Sequence, residues 1–191
     1  MLTVLVIDES RARAGEICAG LALAGYQVAA ILAGADNLTA EVERLQPDVI
    51  LIDTDSPSRD TLENLAAMNK DMPRPVVIFT QEDGRETIRD AVRAGVSAYV
   101  VDGLDPKRIK PIVEVARARF EDTQALRREL DEISQKLSDR KLVDKAKGVL
   151  MKARDLDEDA AYHAMRKLAM ERGQTMARVA RDVIDMARVL L

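Results

Sequence analysis

Five short apolar runs, at residues 4–7, 28–31, 49–52, 76–79 and 98–101, punctuate the first half of the chain, each followed by a helical pattern. The runs have strand length and are rich in β-branched residues. They lack the polar alternation of a sheet with one wet face, so they read as parallel strands buried on both sides. The segments between them predict helices at about residues 11–24, stopped by Gly25, at 37–45, stopped by Pro47, at 61–69, and at 85–94, stopped by Gly95. Such alternation, closed by right-handed crossovers, gives a doubly wound α/β sandwich.

In a sheet of this kind the site lies beyond the carboxyl ends of the strands. Asp8 and Glu9 end the first run, Asp53 the third and Thr80 the fourth, so these groups are expected to converge. Crowded carboxylates repel one another and favour a hard cation such as Mg²⁺, which takes oxygen ligands. That ion would neutralise Asp53 and leave it a nucleophile for a phosphoryl group. No cofactor is otherwise required.

Residues 1 to about 120 thereby resemble a response-regulator receiver domain. The family's acidic pair falls on Asp8 and Glu9, its phosphoacceptor on Asp53, its switch hydroxyl on Thr80, its rotating aromatic on Tyr99 and its loop proline on Pro57. The resemblance implies a flavodoxin-like, five-stranded parallel sheet. One position departs from it. Receivers carry lysine then proline after the fifth strand, whereas this chain has Asp102 and Gly103. A phosphoryl dianion beside Asp102 meets repulsion instead of a salt bridge, and Lys107 belongs to the first turn of the next helix. Phosphorylation of Asp53 is therefore not expected to be the main switch.

Composition narrows the classes. With 191 residues and 47% hydrophobic content, the chain has material for one large or two small cores. A single cysteine, Cys18, on the apolar stripe of a predicted helix, reads as a buried thiol, and His163 is the only histidine. A zinc site or a Cys/His nucleophile has almost nothing to be built from, and no enzymatic activity is expected. No apolar run approaches the roughly 18 to 20 residues that cross a bilayer, and the start lacks a basic leader, so a cytoplasmic location without membrane contact is expected.

After Pro106 the apolar positions Ile109, Ile112, Val113, Ala116 and Phe120 continue into Leu126, Leu130, Ile133 and Leu137, without proline or glycine between Pro111 and Gly148. This predicts one helix from about 107 to 153, roughly 70 Å long. Its 121–140 portion reads as a coiled-coil linker whose seam makes a homodimer, parallel or antiparallel; packing of the seam back on the chain's own last segment is the bland alternative. Residues 141–191 then predict a three-helix unit. Its stripes are Leu142, Ala146, Val149 and Leu150, then Ala161, Met165, Leu168 and Ala169, then Met176, Val179, Ala180, Val183, Ile184 and Ala187. The methionines at 151, 165, 170, 176 and 186 read as core or helix-contact filler.

Charge is uneven. Residues 1–120 hold 14 basic and 19 acidic side chains, and 121–191 hold 15 and 14. Within 136–154, seven cations face only Asp139 and Asp144, a field dense enough to attract polyphosphate. A solvated helix face is the bland alternative. Gly148 costs up to about 1 kcal/mol relative to alanine inside a helix, which suggests close approach by another backbone.

The run Ala146-Lys147-Gly148-Val149-Leu150-Met151, with 157–162, 165–169 and 179–180 behind it, resembles the ANTAR domain, an RNA-binding antitermination module. The resemblance implies binding of paired leader-mRNA hairpins through unpaired bases. It implies phosphate contacts from Arg140, Lys141, Lys145, Lys147 and Arg154, close approach at Gly148, and Tyr162 with Arg166 near the bases. Tyr162 reads equally well as a partly buried aromatic, and His163 as a surface residue. Phosphorylation-dependent binding of duplex DNA is the alternative, but no polar recognition helix is evident. The segment 101–104 looks most like the NasT group of nitrate-assimilation regulators, with the AmiR group of amidase-operon antiterminators matching less closely. That likeness implies a ligand-binding sensor protein, NasS-like, that holds the regulator inactive until nitrate or nitrite arrives.

Overall fold

The computed structural model describes residues 1–8, 14–103 and 105–190. They divide into two compact units, Met1–Gln124 and Ala125–Leu191. In the first, β1 (Thr3–Asp8), α1 (Ala14–Leu23), β2 (Gln27–Leu32), α2 (Leu38–Leu45), β3 (Val49–Asp53), α3 (Arg59–Asp71), β4 (Val76–Thr80), α4 (Arg85–Arg93) and β5 (Ala98–Val101) follow in order, and then α5 (Pro106–Arg154) begins. The five strands form one parallel sheet in the order β2-β1-β3-β4-β5. This is the doubly wound arrangement with its switch point between β1 and β3.

The central strands β1, β3 and β4 are buried on both faces, but the expectation of burial is corrected for the edge strands: β5 is only half-buried and β2 leaves Ile31 42% exposed, because an edge strand has a neighbour on one side only. Leu5, Ile7, Ile50, Ile52 and Ile78 pack with Val42 of α2 and Leu65 and Met68 of α3. Their neighbours Val4, Val6, Leu51, Val77 and Phe79 pack with Ile17 and Leu21 of α1 and with Ile109, Val113 and Ala116 of α5. None of these strand side chains is more than 1% exposed, and each large apolar group so buried contributes roughly 1.5–3 kcal/mol. A Cβ at Gly20 would sit 2.8 Å from Cδ1 of Ile109 and 3.0 Å from Cβ of Pro106. The absence of a side chain there is what lets α1 and α5 meet.

Local chemistry sets the element ends. The hydroxyl of Ser58 accepts the Thr61 N–H at 3.0 Å, so α3 starts at Arg59, ahead of the expected residue 61. Gly25 (φ +86°) and Gly95 (φ +91°) turn the chain after α1 and α4. The stop of α2 falls on Gln46, at φ 47°, one residue before Pro47. The expected start of α1 at residue 11 lies outside the described residues. Cys18 is half-buried, not fully enclosed.

In the second unit the later turns of α5 combine with α6 (Glu158–Arg172) and α7 (Met176–Leu190). The Asp157 carboxylate caps α6 by accepting the Ala160 N–H at 2.7 Å. The core is Ala146, Met165, Ala169, Val179, Ala180 and Ile184, with Leu142, Leu150, Leu168, Met176 and Val183 half-buried around it. The methionine expectation is corrected here. Met165 is core, but Met170 and Met186 are 74% and 65% exposed and Met151 is also exposed. Met151 and Met170 follow the inward-facing Leu150 and Ala169 by one residue, which rotates them about 100° away from the core. Leu126, Leu130, Ile133 and Leu137 all lie on α5 with more than half of each side chain in solvent.

Candidate functional site

Asp8 and Asp53 are register partners across β1 and β3, at the strand ends flanking the switch point. Both are essentially buried, as is Thr80 at the end of β4. Glu9 lies outside the described residues. The Thr80 hydroxyl donates to the Asp55 carbonyl at 2.8 Å and accepts the Glu82 N–H at 3.1 Å. The Tyr99 phenol donates to the Glu82 carbonyl at 2.9 Å. The loop after β3, the loop after β4 and the side chain from β5 are thus joined through Thr80 and Glu82. Burial pushes the Tyr99 phenol above its ordinary range, against a smaller opposing effect of the Thr80 hydroxyl.

Asp102 follows Val101, the register partner of Thr80, so it also stands at the carboxyl edge of the sheet. It differs from Asp8 and Asp53 in being exposed. Its backbone is left-handed, φ 73°, and is followed by Gly103 at φ 74°, whose N–H donates to the Thr80 carbonyl at 3.2 Å. Aspartate is one of the few side chains that tolerate this conformation.

Among the described residues no three of His, Cys, Asp or Glu come together as a metal-binding group. Asp8 and Asp53 are the carboxylates that could hold a hard cation at these adjacent strand ends.

The second unit carries the cations. Arg140, Lys141, Lys145, Lys152, Arg154 and Arg166 are all exposed. Lys147, for which the resemblance implies a phosphate contact, is different. Its Nζ lies 2.8 Å from Oδ1 of Asp144 and 2.7 Å from Oε1 of Glu158, and only 15% of its side chain is exposed. The hydrogen bonds to Asp144 and Glu158 hold its pKa above the ordinary lysine range, and the bond from Lys147 holds Asp144 below the carboxylate range. Around Gly148 nothing among the described residues lies within 4 Å of where its Cβ would be, so the close approach is not made by another helix of the described chain.

Tyr162 is 39% exposed and its ring lies 6.1 Å from that of His163, tilted by 51°. Arg166 lines a surface hollow of about 410 Å³ together with His163, Lys167, Met170 and Glu171. Lys167 and Met170 were missed as surface candidates. The signal for them was available in their phase, because α6 turns its Met165 and Ala169 inward.

Residues 4–114 match the response regulator receiver domain family, and residues 131–184 match the ANTAR domain family. The chain belongs to the ANTAR response regulators. The transcriptional regulatory protein PdtaR of Mycobacterium tuberculosis is 30% identical to this ANTAR regulator over 161 residues, which cover 84% of this chain and 78% of PdtaR. The nitrate regulatory protein of Klebsiella oxytoca is 35% identical over 83 residues, covering 44% of this chain and 21% of that protein. Among solved structures, a CheY-like receiver domain from Methanospirillum hungatei superposes with a TM-score of 0.56 at 22% identity, covering 64% of this chain and 98% of that one. That likeness is one of fold. No helix among the described residues is long and apolar enough to cross a membrane.

Proposed function

We propose that this ANTAR response regulator is a transcription antiterminator that binds paired hairpins in a leader mRNA. The observation that carries the proposal is the cluster of exposed cations on a small helical unit: Arg140, Lys141, Lys145, Lys152, Arg154 and Arg166. Such a cluster offers contacts to a phosphate backbone, and Tyr162 beside it offers a half-exposed ring to an unpaired base. Helix α7 places Val179, Ala180 and Ile184 in the core, which leaves it poorly suited to enter a DNA major groove.

The amino-terminal unit decides when the RNA face is available. Asp53 with Asp8 would hold Mg²⁺, yet the carboxylate of Asp102 occupies the position where the family's lysine pairs with phosphate. Control therefore passes to a ligand-binding sensor protein of the NasS type, released by nitrate or nitrite. The partial match to a nitrate regulatory protein supports this signal. The exposed seam at Leu126, Leu130, Ile133 and Leu137 supports a homodimer through α5.

Competition at fixed salt tests the reading. A hairpin RNA with an unpaired loop is expected to displace a labelled leader fragment from the full chain more effectively than a DNA duplex of the same sequence. Preference for the duplex would reverse the assignment to RNA.

A further inference from the structure

The seam on α5 has a second property besides its exposure, namely the charges that flank it. Leu126, Leu130, Ile133 and Leu137 are spaced by 4, 3 and 4 residues, an alternation of heptad d and a positions, and are 61%, 65%, 55% and 54% exposed. Four large aliphatic side chains in one line on a helix call for an apolar cover. In this frame Glu129 and Lys136 occupy the g positions, with Arg127, Ser134 and Lys141 at the e positions. Both Glu129 and Lys136 are exposed. The ion pair that Lys136 makes along its own helix, with Glu132, is a loose 3.9 Å.

The two ways of pairing this seam with a second copy differ in their flanking charges. A parallel pair sets each g residue against the e residue five positions on in the other helix. Lys136 would then face Lys141 of the second copy, twice over by symmetry, Glu129 would face the uncharged Ser134, and Asp122, the g residue one heptad earlier, would face Arg127. An antiparallel pair sets a against d: Leu126 against Leu137 and Leu130 against Ile133 of the second copy. Its flanks pair g with g, so Glu129 faces Lys136 of the second copy, again twice, and Arg127 faces Ser134. Antiparallel pairing gives two opposite-charge contacts and no like-charge contact; parallel pairing sets two like-charge contacts, Lys136 with Lys141, against two opposite-charge ones, Asp122 with Arg127.

We infer that the α5 seam is covered by α5 of a second copy running antiparallel, with Glu129 and Lys136 of each chain paired to Lys136 and Glu129 of the other. This rests on the homodimer reading given above and fixes its geometry. Selection of orientation by flanking charge is the ordinary means by which short coiled coils choose partners.

Charge reversal tests it, with the mass of the full chain followed by sedimentation or light scattering over a dilution series. In the antiparallel pair Lys136→Glu places two carboxylates together at each flank and weakens the dimer, by tenfold or more in dissociation constant. Glu129→Lys does the same with two ammonium groups. An equimolar mixture of the two variants forms a heterodimer at wild-type concentration, because one chain then carries both cations and the other both anions. In a parallel pair Lys136→Glu would strengthen the dimer by converting its clash with Lys141 into an attraction, which would overturn the antiparallel assignment and leave the dimer standing. A wild-type chain monomeric at tens of micromolar, and unchanged by Leu130→Asp, would overturn the dimer itself and with it this inference. Circular dichroism of each variant separates loss of association from loss of helix.

Discussion

The ammonium of Lys147 and the carboxylate of Glu158 meet at 2.7 Å, joining the last turns of α5 to the first turn of α6. A cation that appears from its place in the chain to belong to an open basic face is thereby committed to the fold. Replacing Lys145 by Gln is expected to weaken hairpin RNA binding and lower the slope of log affinity against log salt by about 1, as for loss of one phosphate contact. Lys147→Gln should leave that slope unchanged and lower the melting temperature instead. Measuring both quantities for both variants separates the roles. The ion pair is present above the ordinary aspartate range, where Asp144 is charged, and below the ordinary lysine range, so neutral buffers suit the comparison.

Gly148 faces open space within a helix. Gly148→Ala should therefore raise thermal stability, by about 0.5–1 kcal/mol from helix propensity alone. If nucleic acid is what comes close to this position, the same variant binds hairpin RNA more weakly. A protein made more stable and less able to bind is the expected outcome, read by melting curves and filter binding.

Asp102 has a left-handed backbone. Asp102→Asn should be nearly neutral for stability, and Asp102→Val should cost about 1–2 kcal/mol, since a β-branched residue is strained there. Incubation with acetyl phosphate and Mg²⁺ should label Asp53 poorly in the parent chain. Intact-mass spectrometry reads the labelling directly.

Thr80 is buried with its hydroxyl bonded to the Asp55 carbonyl and the Glu82 N–H. Thr80→Val, close in shape, removes both bonds and should destabilise the first unit by about 1–3 kcal/mol, because polar groups lose their partner in a buried site. Chemical denaturation with an unchanged m-value would identify this as a loss of stability.

The Tyr26 phenol donates to Oε1 of Glu114 at 2.9 Å, and burial, followed by that bond, pushes its pKa up to about 12. The unfolded phenol ionises near pH 10, so this contribution is complete below pH 10 and is lost as pH rises from there through 12. Melting temperature should fall over that interval, and fall less steeply in Tyr26→Phe. A denaturation series from pH 8 to 12 checks both slopes.

The sheet was legible because its signal is local: β-branched runs without polar alternation have few alternatives to a buried parallel strand. The acidic strand ends were legible for the same reason, since the end of a run fixes the edge of the sheet. Helix starts were less so, as at Ser58, where one hydroxyl bond decides the first turn. What sequence spacing could not show were pairings between separate elements. Glu158 lies eleven residues beyond Lys147 and on another helix, and the clearance that Gly20 gives to Ile109 joins the first helix to the fifth. The exposed Met151, Met170 and Met186 show a related limit, because side-chain type alone does not reveal which way a helical position points.

Glu82 offers its N–H to Thr80 and its carbonyl to Tyr99. A protein that clasps the loop after β4 would therefore hold a common handle. Swinging residue 82 outward would strip the phenol of its acceptor and the threonine oxygen of its donor in one movement. The work of docking would then reach the carboxylate edge of the sheet mechanically.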